Sequence, residues 1–442
     1  MRLTCEQGKC IYCRKPIKTI EIFSSSIMDI NNLPLETFIE ILIKTDGITI
    51  GKCRRVCKKW LETIDDIDYI WEKICCKEYE YQSSLAKQKS GKDCKWYHIY
   101  KNLTMWSKLT SFEKNIREFY KFTLHDKNHA LAIDYGVLPL KDTRGIVLYD
   151  MSTLKHIPVA VPEKNCLKIS NNDFATVILV KSGILLQRTP LSFDEDLRFM
   201  TEAFFKADNF VLHEKELYFF NNRDVFVCDL NMRNLESKLM LHCDYDIKEI
   251  QYYNGQFCIF TDCGKIVTVS KDRTVTVKHI NCPPEWVKQI KYVRAINSRN
   301  FVCYSRNLFK IETDKYQHLY LDFPPITALF FYGDFVLIGT RASEILLYRL
   351  SSQKRATKPI FEKLAELPDG KYAVYLDVCE RKSGPVIVVA TFFEIILLEI
   401  DFFPDEKETK TSFPNNKVLM YKRLLRLRDR LRLGVPSIKS IA

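Results

Sequence analysis

EIQYYNGQFCIFTDCGKIVTVSKDRTVTVKHI, residues 249–280, reads as four short strands in succession. Runs rich in β-branched and aromatic residues are separated by Asn254-Gly255, Asp262-Cys263-Gly264 and Lys271-Asp272, the residue types that close tight turns. ITALFFYGDFVLIGTRASEILLYRL, residues 326–350, repeats the pattern through three strands.

Such units recur at a regular interval. From about residue 125 onward the third strands of successive units begin near Ile146, Ile184, Val225, Ile266, Phe309, Ile345 and Ile395, about 41.5 residues apart on average. Four strands per unit at that period describe propeller blades. An all-β propeller of about seven four-stranded blades is therefore expected over residues 111–415, and closing the ring leaves no long unpaired sheet edge. PVIVVATFFEIILLEIDFF, residues 385–403, is the most membrane-like stretch. Glu394, Glu399 and Asp401 would each cost about 2.5 to 3.5 kcal/mol in a bilayer. Two buried strands joined at Phe393-Glu394, and no membrane partner, are expected instead.

The chain ahead of the repeats has a helical period. In NNLPLETFIEILI, residues 31–43, Pro34 and Glu36 mark a helix start, because proline loses nothing in the first turn and a carboxylate there faces the positive end of the helix dipole. Leu35, Phe38, Ile39 and Leu42 form its apolar stripe, with Ile41 and Ile43 outside it. Thr45-Asp46-Gly47 breaks the helix. CRRVCKKWLETI, residues 53–64, would then form a second helix, with Cys53, Val56, Cys57, Trp60 and Ile64 packed and Arg54, Arg55, Lys58, Lys59 and Glu62 solvated. Ile67, Ile70, Trp71 and Ile74 predict a third. Three short helices cannot bury this much apolar surface alone, which implies a partner.

Leu33-Pro34-x-Glu36, Ile41-Leu42, Val56-Cys57-Lys58-x-Trp60 and Asp68-x-x-Trp71 resemble the F-box in order and spacing, over residues 31–76. The usual Asp-Leu opening of its second helix reads Ile48-Thr49-Ile50 here. The resemblance implies docking on a Skp-type adaptor and, through it, a cullin. By position Leu33, Pro34, Phe38, Ile41, Leu42, Val56 and Trp60 would form or brace that surface. Residues 77–110 read as a helical linker: QSSLAKQKSGK, residues 82–92, is its flexible part, and GKDCKWYHIYKN, residues 91–102, a helix with Trp96 and either Tyr97 or Tyr100 packing back. The repeats resemble WD-repeat blades only in part: Leu148-Tyr149-Asp150 and Val227-Cys228-Asp229 stand in for the Trp-Asp dipeptide.

Hydrophobic residues make up 46% of the 442, aromatics 12%, so most of the chain should fold. The formal charge is +12, and residues 416–442 carry +7 of it in a basic tail, leaving the body mildly basic. A solvated terminal segment is the plain reading of that tail. Sixteen cysteines lie without framework spacing, pointing to a reducing cytoplasm or nucleus. Cys5, Cys10 and Cys13 in the N-terminal segment 1–30 have zinc-knuckle spacing but lack a fourth ligand nearby, and His125 and His129 lack a carboxylate partner. No phosphate loop and no nucleophile elbow occur, so neither metal, cofactor nor catalytic residue is expected.

The turns between second and third strands carry Lys181, Arg223, Lys265, Arg306 and Arg341, alongside Asp224, Asp262 and Glu344. Cationic side chains ringing one face suit a target protein bearing carboxylates or phosphates. The resemblance points the same way, since F-box proteins with WD-repeat propellers commonly read acidic or phosphorylated segments. The expected function is that of a substrate-recognition subunit of a cullin ubiquitin ligase. Two alternatives are a non-ligase F-box scaffold or competitor, and a basic propeller associating with nucleic acid through its tail.

Overall fold

The computed structural model describes residues 34–400 apart from short stretches, the longest being 123–131, 189–200 and 351–359. Six helices come first: α1 (Leu35–Lys44), α2 (Gly47–Cys53), α3 (Lys58–Asp66), α4 (Asp68–Glu78), α5 (Ser83–Gln88) and α6 (Trp96–Trp106). Helix α1 starts directly after Pro34 and buries Phe38 and Leu42. Asp46 caps α2 by accepting from the Thr49 amide at 2.8 Å. Gly47 opens α2 against the Tyr100 ring, where a Cβ would sit 2.2 Å from the ring carbon Cζ. Ile70, Trp71, Ile74 and Cys75 on α4 form the buried centre of the helical layer. Tyr97 and Tyr100 of α6 both pack on Trp71, at ring-centroid distances of 5.0 and 5.3 Å.

The single helix expected over 53–64 is divided. Helix α2 ends at Cys53, and Cys57 is extended at φ −155° before α3 begins. Arg54 explains the break. Its guanidinium makes two bonds to the Asp65 carboxylate, 2.6 and 2.7 Å, and lies 3.8 Å over the Tyr97 ring. A side chain read as solvated is thus a staple between α3 and α6. Val56 and Cys57 face outward instead of packing, while Trp60 is half-buried with its ring 4.9 Å from Phe38.

Seven antiparallel sheets follow in chain order: I (137–161), II (168–205), III (209–242), IV (247–279), V (292–320), VI (326–366) and VII (375–400). The strand Lys114–Lys121 joins VII by pairing antiparallel with Glu394–Ile400, so the earliest strand completes the last sheet. Each neighbouring pair, VII and I included, shares a buried apolar cluster. Val388 of VII and Leu138 of I belong to one such cluster, and Leu337 of VI and Ile387 of VII to another. The sheets therefore close into a β-propeller. All seven expected starts fall in strands; from Ile184 to Ile395 these are the third of their sheets, while Ile146 lies in the second described strand of sheet I. The count of seven four-stranded blades is corrected to six, because sheet I has three strands among the described residues. The residues just ahead of Val137 bond to the linker: the Tyr135 amide donates to the Gln88 carbonyl at 2.6 Å. The 385–403 stretch forms two buried strands, Gly384–Ala390 and Glu394–Ile400.

Residues 83–90 of the linker, read as a flexible stretch, pack against the rest of the chain. Ser83 and Ala86 of α5 are buried, and Lys89 and Ser90 lie under the propeller rim. The Glu380 amide donates to the Lys89 carbonyl at 3.0 Å. Small and polar residues are here what a close backbone approach requires, not a sign of a free chain. No helix among the described residues is long and apolar enough to cross a membrane.

Candidate functional site

The up-and-down order of strands gives the ring two ends. In sheets VI and VII the turns between first and second strands lie at Gly333-Asp334 and Lys382-Ser383. Helix α6 packs at this end: Trp106 stacks near Tyr332 and Phe335, at 5.5 and 5.1 Å, and the Asn102 side-chain amide donates to the Arg381 carbonyl at 3.0 Å. A Cβ on Gly333, at φ +56°, would fall inside the Gln82 side chain. Turns between second and third strands open at the other end, because successive strands run antiparallel. The helices and the second-to-third turns therefore occupy opposite faces of the propeller.

Away from this junction the helices leave apolar side chains in water. Leu35 and Ile41 of α1, Ile48 of α2, Val56 in the α2–α3 turn and Leu61 of α3 are all exposed, Ile48 by 62% and Val56 by 64%. Five such residues from consecutive short helices exceed the scattered single exposure normal for a surface. Of the residues singled out from the sequence, Pro34, Ile41 and Val56 are exposed, Phe38 and Leu42 are buried beneath them, and Trp60 braces Phe38. Leu33 lies outside the described residues. Leu35, Ile48 and Leu61 were not singled out, since periodicity assigned Leu35 to the packed stripe. Its place in the first turn, before the core begins, leaves it uncovered.

Residues 30–77 match the F-box-like family model. The chain carries an F-box followed by a β-propeller. No curated protein sequence matches it. Solved structures similar to it include Hsv2 of Kluyveromyces lactis, 12% identical over 60% of this chain and 90% of that one, with a TM-score of 0.40. BamB of Moraxella catarrhalis is 10% identical over 62% of this chain and 84% of that one, with a TM-score of 0.41.

The helical linker that follows the F-box is fixed to the propeller by buried polar groups. Lys89 Nζ sits 2.9 Å from the Asp377 carboxylate, with 6% and 0% of the two side chains exposed, and donates to the Ile133 carbonyl at 2.6 Å. Asp377 also accepts from the Ile133 amide at 2.8 Å and the Tyr375 hydroxyl at 2.7 Å. Beside it Glu380 accepts from the Trp106 indole N–H at 2.5 Å and from the Tyr332 hydroxyl. Burial pushes the Glu380 carboxyl up to about 7.

That value implies a pH dependence whose sign is fixed by linkage. The folded chain holds the Glu380 proton more tightly than the unfolded chain, whose ordinary value is 4.5. The resulting stability is fully present below about 4.5 and is lost as pH rises through about 7. Urea unfolding of the wild type and Glu380→Gln is expected to show their stability difference shifting in favour of the glutamine form between about pH 5 and pH 8. A constant difference across that range would identify another titrating group.

On the opposite face the cationic turn residues are not equivalent. Lys181 and Arg341 are exposed, and Arg341 has no side-chain partner among the described residues. Arg223 is ion-paired with Asp246 at 2.7 Å. Lys265 lies 3.7 Å over the Tyr245 ring and donates to its hydroxyl. Arg306 lies outside the described residues, as do Cys5, Cys10, Cys13, His125, His129 and the basic tail. One group on this face escaped sequence reading: Phe392 and Phe393, in the Thr391–Phe393 turn of sheet VII, are 52% and 55% exposed. They read as part of a buried hairpin because the residues on both sides are apolar.

Proposed function

We propose that this chain is the target-binding subunit of a cullin-type ubiquitin ligase. The F-box docks a Skp-type adaptor through Pro34, Leu35, Ile41, Ile48, Val56 and Leu61, with Leu33 extending the surface and Phe38, Leu42 and Trp60 supporting it from beneath. F-box domains generally bind such adaptors, and the exposed apolar side chains on α1 to α3 favour that partner. The propeller holds a target protein on its far face. No bond chemistry falls to this chain: its contribution is proximity, holding target lysines within reach of a conjugating enzyme. Cytoplasm or nucleus is the setting this role requires.

The observation that carries the reading is the mounting. A buried ion pair and a buried indole–carboxylate contact clamp the linker on one end of the ring, and its helix α6 packs on Trp71 of the F-box, so a target bound at the other end keeps a set distance from the adaptor. Leu33→Ala with Pro34→Ala is expected to abolish co-purification with a Skp-type adaptor while the circular dichroism and unfolding midpoint of the propeller stay unchanged. Undiminished co-purification would overturn the reading. Adaptor captured without cullin would assign the chain to a scaffold or competitor instead.

A further inference from the structure

Four features meet on the far face where sheet VI adjoins sheet VII. Thr391 organises the Phe392-Phe393 turn: its amide donates to the Glu394 carbonyl at 2.9 Å, and its Oγ1 accepts from the Phe393 and Glu394 amides at 3.2 and 3.1 Å. The Phe393 carbonyl accepts from the Phe122 amide at 2.7 Å, and Lys371 holds the buried Glu394 carboxylate at 2.8 Å. The turn is thus built and braced, yet it presents two phenyl rings to water where other sheets place Lys181-Ser182, Asn222-Arg223 or Asp262-Cys263. Tyr372 packs edge-on against Phe392, with centroids 5.7 Å apart. Its neighbour Ala373 lies against Gly339, where a Cβ would come 2.9 Å from the Ala373 Cβ, and Gly339 is two residues from Arg341. Arg341 and Tyr372 thus flank one close contact between sheets VI and VII, two residues and one residue from it.

We infer that Arg341, Tyr372, Phe392 and Phe393 form the primary target-docking site, and that its occupant is an unmodified protein segment with carboxylates beside a bulky apolar residue. The inference rests on the proposed function and narrows its target class. A phosphate dianion is best held by several convergent cations. Here Arg223 and Lys265 are already engaged, Lys181 stands on sheet II, two sheets round the ring from sheet VII, and Asp224, Asp262 and Glu344 stand among them. One arginine without a side-chain partner among the described residues, near braced aromatic rings, suits a single carboxylate and an apolar side chain. Pre-ordering of the turn lowers the entropy lost when the segment binds.

Fluorescence anisotropy of the full chain, in complex with its adaptor, tests this with short peptides of core sequence Glu-Glu-Leu-Phe, Gln-Gln-Leu-Phe, Glu-Glu-Ser-Ser and phosphoserine-Glu-Ser-Ser. The first is expected to bind at least about tenfold more tightly than each of the others. Arg341→Gln should bring it to the level of the glutamine peptide, and Phe392→Ser with Phe393→Ser to that of the serine peptide. Both substitutions are at exposed positions, so folding is retained. Tightest binding by the phosphopeptide, no binding of Glu-Glu-Leu-Phe at millimolar concentration, binding only after removal of residues 401–442, or self-association lost in the double serine variant would each overturn the site. Adaptor binding in the same complex reports on the ligase reading separately, so the two can fail independently.

Discussion

Trp106→Ala will loosen the helical linker from the propeller by about 4 kcal/mol, within the range for truncating a buried tryptophan. Trp106 is the last residue of α6 and is 2% exposed. Its ring fills the space between Tyr332 and Phe335, and its N–H satisfies the buried Glu380 carboxyl. Truncation creates a cavity and leaves that carboxyl with one donor fewer, which by itself costs about 1 to 3 kcal/mol. Limited proteolysis between the helices and the propeller should accelerate by roughly two to three decades if cleavage follows local opening. Trp106→Phe separates the two contributions, because it keeps most of the ring and loses only the N–H. An alanine variant cleaved at the wild-type rate would mean that the junction is held elsewhere.

Lys89→Met will destabilise the same junction from the linker side by about 3 to 5 kcal/mol, the cost of breaking a buried ion pair by removing one member. Methionine preserves the length of the side chain and leaves Asp377 as an uncompensated buried anion. The Ile133 carbonyl loses its lysine donor as well. Pairing the change with Asp377→Asn removes the stranded charge. Double-mutant analysis of urea unfolding should show the combined loss falling short of the sum of the single losses by at least about 1 kcal/mol. Additive losses would show that Lys89 and Asp377 act separately.

The two junction residues illustrate what a linear reading of this chain loses. QSSLAKQKSGK has the composition of a flexible connector, and Lys89 in it resembles any solvated lysine. Its partner Asp377 lies 288 positions away in the sequence, brought under it only when the ring closes. Arg54 is a similar case. In a helical projection it falls on the polar face, yet its carboxylate and aromatic partners come from α3 and α6 and end the helix it was assigned to extend.

What the sequence determined alone is the part governed by local repetition. Alternation with a period near 41.5 residues located one strand in each of the seven sheets, the third strand in six of them, because successive sheets follow similar turn chemistry and strand length. The F-box spacing likewise lies within one short stretch, residues 30–77. Tertiary structure alone decided the three-stranded sheet I, the anchoring of the linker, which apolar side chains of α1 to α3 stay in water, and which cations of the far face are already engaged. Each depends on where chain segments distant in sequence come to rest. Burial and charge pairing are properties of that meeting, and no local pattern encodes the partner.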